Sequence, residues 1–470
     1  MKNTGYFPDR GLFMEVTPFI SDEKAEKISA IFLMVFMLMT PIGELISEGL
    51  LNVPYFLQPI VSSMIGCVGL YLVLVYLIRN RGKISFCPSD LFALLLLVFA
   101  CISFIFTTNM EITIGGDHYD EWLIHFIGYY SLMLAGTMIN SNVWRKRILY
   151  TFLAVGILQL VVSAFQCFGM QLSYCYFDHD KHTEERLVYG LTQHNNFYVA
   201  IGILITGAFA GMAVFAKKRL QRVICMMVSG VSFFCLLKTG TRISWIALAG
   251  LMMFYAVSFL VMRKLPEIKS YVLRYLILFL FLFVIVAGMN ASSDVLRDSI
   301  EETMQEENRI RNDDAGQDNG MDAFGNARGY IWRFGLASVP KHWLTGIGLD
   351  NYVSVFYENP EWHEGMFEQA KGHNEYLHTL VTQGVFAAIN YIAMLVYACI
   401  TGVRIVRQTE DEETRCQIWI FLGMFTGYAC QAMVNSSVLN SAMYFWIVIG
   451  LIMPRNQQKC LNRQEGGKRR

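Results

Sequence analysis

Charge is scarce in this chain and sums to nothing. Only 16% of its 470 residues are charged, and 38 basic residues cancel 38 acidic ones. A neutral chain lacks the basic face that nucleic acid selects, so nucleic acid is excluded as a partner. Cysteine supplies no outer framework either. Of eleven thiols most sit in or beside apolar runs, Cys175 alone lies clearly in an outer loop, and there is no CxxC pair. The sequence also lacks an HExxH helix, a GxSxG elbow and a phosphate-binding loop, and Gly346-Ile347-Gly348 is too short for a dinucleotide fingerprint. His363, His373 and His378 do not have metal-ligand spacing, the last two being five apart rather than four. The Asp and Glu residues suit Mg²⁺ or Ca²⁺, but no spacing specifies either. No metal and no cofactor is expected.

What the chain has instead is long apolar runs. Hydrophobic residues make up 54% and the mean hydropathy is +0.39, which places it among membrane proteins. Runs long enough to cross a hydrocarbon layer of roughly 30 Å centre near residues 37, 67, 99, 131, 158, 204, 231, 253, 281, 393, 427 and 446. The expectation is an all-α polytopic membrane protein of about twelve transmembrane helices. One long, partly helical extracytoplasmic loop separates spans nine and ten. The corresponding segments are 1–27 (cytoplasmic), 28–290 (spans one to nine), 291–382 (outer loop), 383–453 (spans ten to twelve) and 454–470 (a basic cytoplasmic tail). The first apolar run starts near Ile28, after Lys24 and Lys27, and continues into a full span, so no cleavable signal peptide is expected. With both ends inside, 27 of the 38 basic residues fall on the cytoplasmic side. Seven of the other eleven lie in the long loop, which is too long for the rule to govern. Span seven is the least regular, because its outer end carries Lys238. No repeat of solenoid spacing is present.

The polar excursion from Ala291 to Thr382 is where water-side chemistry has room. Its acid cluster, Asp298 to Arg309, reads as a solvated helix whose charge serves solubility, and Asp313 to Asp322 reads as turns. A second helix is expected from Ala327 to Ala337, with Arg328 in its first turn and Pro340 closing it. Arg242 stands apart, in the turn Lys238-Thr239-Gly240-Thr241-Arg242-Ile243-Ser244 between spans seven and eight. A boundary arginine ordinarily snorkels. At the depth of lipid phosphates, however, its five-donor fork also suits a phosphate bidentately, and two such forks would hold a diphosphate. His373 opens the run His373-Asn374-Glu375-Tyr376-Leu377-His378, which leads through Gln383-Gly384-Val385 into span ten. A loop histidine usually serves structure; near the membrane face, a neutral imidazole also suits taking a proton from a sugar hydroxyl. Gln159, Gln166, Asn390 and Gln431 within spans read as interhelical hydrogen-bonding residues.

Thr241-Arg242 before a span, Arg328-Gly329-Tyr330-Ile331-Trp332, Gly346-Ile347-Gly348-Leu349-Asp350-Asn351-Tyr352, and His373-Asn374-Glu375-Tyr376 with Gly384 downstream together resemble the O-antigen ligase and polymerase superfamily. The likeness covers roughly residues 190 to 400. It implies a glycosyltransferase of the bacterial inner (plasma) membrane with its active site on the extracytoplasmic face. The donor would be a glycan on an undecaprenyl diphosphate carrier, and the acceptor a hydroxyl on a glycan or lipid-glycan. Carried over, Arg242 and Arg328 would hold the leaving diphosphate and His373 would orient or deprotonate the acceptor. Gly346, Gly348, Asn374 and Tyr376 would contact substrate. Asn195, in His194-Asn195-Asn196, matches a position where the family often has Asn, and reads either as a substrate contact or as a polar cap. Thr241 departs from the commoner Ser-Arg spelling, which leaves the role of that hydroxyl open.

Ligase and polymerase share donor chemistry and differ in acceptor; the HNEY run and loop arrangement resemble the ligase type. A flippase or other transporter of lipid-linked oligosaccharide also has about twelve spans, but needs charged or broken helices at mid-membrane, whereas these spans are nearly free of charge. The topology makes a direct prediction. A reporter active only outside the cytoplasm should be active when fused near Gly320 and silent near Gln408, and the reverse pattern would invert every site assignment.

Overall fold

The computed structural model describes residues 21–46, 69, 87–115, 121–170, 187–292, 301, 304–305, 322 and 324–458. These form helices and no strands. In chain order they are α1 (Asp22–Glu44), α2 (Pro88–Ile105), α3 (Met110–Gly115), α4 (Leu123–Thr137), α5 (Asn142–Cys167), α6 (Asn195–Phe215), α7 (Arg219–Leu237) and α8 (Arg242–Val261). Then follow α9 (Ile268–Ser292), α10 (Phe324–His342), α11 (Ser354–Tyr357), α12 (Glu375–Gln383), α13 (Val385–Gln408), α14 (Glu412–Gln431) and α15 (Leu439–Ile452).

Helices occupy eleven of the twelve expected span positions; the second, near residue 67, lies outside the described residues, as do most of the acid cluster and Cys175. Among the described residues eight helices are long and apolar enough to cross a membrane, namely α1, α2, α5 to α9 and α13. The other three differ from the expectation for physical reasons. Helices α4 and α15 have 15 and 14 residues, and at 1.5 Å per residue each falls well short of a roughly 30 Å layer. Helix α14 is 20 residues long but opens on Glu412 and Glu413 behind an Asp411 cap.

Helix α6 is the axis of the bundle. It is apolar all round, and its membrane-crossing window is buried throughout, as such a helix must be. Glycines set its closest approach: a Cβ at Gly207 would lie 3.2 Å from the backbone of Met424 in α14. The same device joins the two short helices, where a Cβ on Gly136 would meet the backbone of Gly450 at 3.0 Å. Of the four amides expected to bond between helices, Asn390 does, while the other three bond to chain segments beside the helix ends. Gln166 accepts from the N–H of Tyr189 and Gly190 at 3.1 and 2.8 Å, Gln159 accepts from Leu191 N–H at 3.0 Å, Asn390 donates to the Phe92 carbonyl at 3.0 Å, and Gln431 accepts from Asn435 at 2.7 Å. The α5 glutamines thereby pin the chain entering α6.

The segment between α9 and α13 has a core of its own, in which Ile331, Phe334, Ile347, Tyr352, Val355, Phe356 and Val381 pack together. Its main helix becomes regular at Arg328, after Gly325, Asn326 and Ala327 in left-handed conformation, and Pro340 lies inside its last turn rather than closing it. What ties this segment to the bundle is ionic. Lys371, 2% exposed, donates to Glu121 at 2.6 Å and to Asp350 at 2.5 Å, and Asp350 also accepts from Glu121 N–H at 3.2 Å. Glu121 further accepts from the Tyr129 hydroxyl of α4. Burial opposes the Lys371 ammonium, but the two carboxylates more than offset it and hold its pKa above the ordinary lysine value.

Removing the cation while leaving both carboxylates buried is costly. Lys371→Met should destabilise the protein by roughly 3–5 kcal/mol, read as a lowered unfolding midpoint in detergent. An unchanged midpoint would show that the cluster carries no stability.

Candidate functional site

The site assembles where the N-terminal ends of α6 and α8 and the C-terminal end of α14 meet the residues leading into α12. Asn195, the first residue of α6, donates to the Thr239 carbonyl of the α7–α8 turn at 2.9 Å. In that turn Gly240 is left-handed (φ +68), and Thr239, Thr241 and Ser244 share hydroxyl hydrogen bonds. The turn delivers Arg242 as the first residue of α8, half-buried. On the other side, Asn435 donates to the Asn196 carbonyl at 2.8 Å, and Ser436 accepts from His373 N–H at 3.2 Å. Glu375 N–H donates to the Ala432 carbonyl at 2.8 Å. The connection between α14 and α15 therefore links the start of α6 to His373.

His373 carries the least ordinary conformation of the group. Its φ is +44, a left-handed value that costs a non-glycine residue on the order of 1 kcal/mol or more. The residues on both sides hold it there. Lys371 is locked in its ion cluster, Gly372 bonds through its carbonyl to the Trp332 indole at 2.9 Å, and Asn374 caps α12 by accepting from Tyr376 and Leu377 N–H. The ring nitrogen Nδ1 is buried with no hydrogen-bond partner among the described residues. Burial, with Arg328 and His194 nearby, lowers the pKa of His373 to about 3. The ring is a neutral imidazole with a nitrogen to offer. Arg328, whose charge it feels, begins the regular part of α10 and donates to the Gly325 carbonyl at 2.5 Å.

Not every expected contact residue faces this place. Asn374 is occupied as the α12 cap, and Tyr376 donates its hydroxyl to the Ala429 carbonyl at 2.9 Å. Gly346 (φ +71) and Gly348 (φ +125) run along the end of α12, where Ile347 and Gly348 N–H donate to the Val381 and Thr382 carbonyls. A Cβ at Gly346 would sit 2.1 Å from Thr382 O, and one at Gly348 2.0 Å from Thr107 Oγ1. Both glycines are required by close packing. In the same run Asp350 holds Lys371, Asn351 donates to Thr108 at 2.9 Å, and Tyr352 donates to the Ile331 carbonyl at 3.0 Å. Asn195 likewise joins two helix ends.

Sequence reasoning missed Glu375 and its surroundings. Its carboxylate is buried, accepting from the hydroxyls of Tyr391 and Tyr428, the latter at 3.4 Å. Burial pushes its pKa up to about 7 against those hydrogen bonds. With Glu121, Tyr129, His378 and Ser437 it lines a cavity of about 40 Å³. The residue was visible inside the HNEY run; its hydroxyl-bearing and acidic neighbours come from distant parts of the chain and left no local signal. Among the described residues no three His, Cys, Asp or Glu side chains are grouped as metal ligands.

Residues 227–392 match the family model for O-antigen ligase. The matched segment runs from within α7 to within α13 and includes Arg242, Arg328, both motif glycines and His373 to Tyr376, while Asn195 precedes it. No curated protein matches the chain. The match agrees with the superfamily that the motifs resemble, and it lies within a multi-helix membrane protein.

The lowered pKa of His373 has a sign that can be checked. A depressed value keeps the ring neutral as pH falls through the ordinary histidine range near 6.5. In ¹⁵N-histidine spectra of the detergent-solubilised protein, the resonance absent from His373→Gln should keep its neutral signature down to about pH 5. A midpoint near 6.5 would contradict the buried neutral ring.

Proposed function

We propose that this protein moves a glycan from an undecaprenyl diphosphate carrier to an acceptor hydroxyl on the extracytoplasmic face, as an O-antigen ligase-like glycosyltransferase. The observation that carries the reading is His373: a neutral imidazole, held in a strained backbone conformation, with an unpartnered buried nitrogen beside the charge of Arg328.

The reaction asks for two things. The acceptor oxygen forms a bond to the anomeric carbon while the bond from that carbon to the diphosphate oxygen breaks. Negative charge grows on the departing lipid diphosphate, and the acceptor hydroxyl gives up its proton. Fixed guanidinium groups at the diphosphate stabilise that growing charge more in the transition state than in the ground state. Arg242 and Arg328 take this role. His373 Nδ1 accepts the hydrogen bond of the incoming hydroxyl and then its proton. In the empty site its basicity is low because burial and Arg328 oppose the imidazolium. A bound diphosphate offsets the arginine charge and raises that basicity when it is needed. No metal is required in this scheme.

The assay uses purified protein, lipid-linked donor and excess chelator. Arg242→Lys and Arg328→Lys keep charge but lose the fork, and each should lower activity more than tenfold, equivalent to about 1.4 kcal/mol or more. His373→Ala should cost roughly 10² to 10⁴ in turnover with donor binding retained, while the exposed His363→Ala should have little effect. Full activity in His373→Ala removes the catalytic role, and abolition by chelator with restoration by Mg²⁺ moves the chemistry to the loop carboxylates. Envelope glycans of a deletion strain separate the acceptors: full-length lipid-linked chains accumulate without a ligase, single unpolymerised repeats without a polymerase.

A further inference from the structure

A cavity that the site does not use lies at the end of the bundle away from His373. It is bounded by α5, α6, α7 and α14 and encloses about 290 Å³. Helices α6 and α14 fix its place, since α6 runs from Asn195 at the candidate site to Phe215 at the cavity, and α14 runs from the cavity to Gln431 beside Asn435. Its inner walls are apolar, formed by Leu149, Met212, Phe215 and Ile420, and its rim carries Lys146, Lys217 and Lys218. An apolar recess under an ammonium rim at a helix-bundle end has the polarity of a phospholipid, charged head outward and chains inward.

We infer that this cavity binds one anionic diacyl phospholipid, its phosphate on the lysine rim and the upper part of a chain against Leu149, Met212 and Ile420. Charge complementarity selects the occupant. Three lysines meet Glu413, which holds Lys146 at 2.9 Å, and Glu412, which holds Lys217 at 3.0 Å. The four side chains in these bridges are between 37% and 69% exposed, and bridges so exposed contribute little, so a phosphate can replace a carboxylate on either lysine. Even with both glutamates counted, the rim keeps a positive excess. The rim is also built rather than incidental. Arg222 donates to the Ala216 and Lys217 carbonyls at 3.1 and 2.7 Å, fixing the α6–α7 turn, and Gln221 donates to the Tyr150 hydroxyl at 3.1 Å, joining α7 to α5. With the N-terminus inside, this is the cytoplasmic leaflet, where basic pockets between helices meet anionic head groups.

Native mass spectrometry of the full chain released from detergent tests the inference, with phosphatidylglycerol, phosphatidylcholine and glycerol 3-phosphate as probes. Phosphatidylglycerol should be retained at least fivefold more than phosphatidylcholine, and glycerol 3-phosphate should not be retained. Lys217→Gln with Lys218→Gln should abolish the preference, and Ile420→Trp, which fills the recess, should lower retention of both lipids. Equal retention of the two lipids by the unsubstituted protein overturns the inference whether or not the variants fold. Retention of glycerol 3-phosphate as strongly as the lipid reassigns the rim to free phosphate and overturns it too. Unchanged phosphatidylglycerol retention in both folded variants places the lipid elsewhere.

Discussion

The ammonium of Lys371 sits between Glu121 and Asp350, and the placement of His373 within the segment between α9 and α13 depends on that contact. The three residues come from the entry to α4, from the glycine-flanked turn after α10 and from the approach to α12. Burying one cation with two anions is expensive unless each is paired and hydrogen-bonded. Here the second oxygens are used as well, by Tyr129 and by a backbone N–H. With each carboxylate oxygen engaged, the cluster holds the segment between α9 and α13 against the entry to α4. Two residues further on, His373 inherits that placement, and the Asn374 cap and the buried Glu375 secure it from the other side. A left-handed histidine is sustained because its flanks are determined independently of it.

The same burial that fixes His373 also sets its electrostatics. Near cations an imidazole resists protonation, and near an anion it accepts a proton more readily. Arg328 and His194 press on His373 in the first sense. A site designed to act only when a diphosphate is present would have this polarity: the base is weak until the anion that must depart has been bound. Glu375, two residues away, is shifted in the opposite direction by the same cause. One short run of sequence thus holds an imidazole kept neutral and a carboxyl group kept close to protonated.

Much of the fold is legible in the sequence because the membrane leaves so few choices. Long apolar runs at α2, α5 to α9 and α13 announce themselves by length. Helices α4 and α15 do not, since their apolar runs merge with neighbouring turns and say nothing about where the last hydrogen-bonded turn ends. The amides of α5, α13 and α14 were readable as hydrogen-bonding residues, because an amide in an apolar span must find a partner. At the site, the arginine and histidine types were visible, while the roles of their neighbours were not. Gly346 and Gly348 carry a pattern that suits a ligand turn and a close-packed crossing equally, and only the 2 Å approach of Thr382 and Thr107 decides between them. Glu121 and Lys371 are 250 positions apart, and nothing local marks two such residues as partners.

The motif run from Gly346 to Tyr352 and the run from His373 to Tyr376 are accordingly of mixed kind. Asp350, Asn351, Tyr352, Asn374 and Tyr376 each have a side-chain polar atom engaged with the protein itself. His373 is the member whose Nδ1 is buried without a partner among the described residues. Most positions of the two runs serve geometry in this structure. Positioning consumes residues because a buried polar group must be satisfied wherever it is not meant to react. The unsatisfied nitrogen is then informative through contrast: side chains around it bond to the protein, whereas His373 Nδ1 is buried and left open, which supports the reading in which a ligand atom binds it.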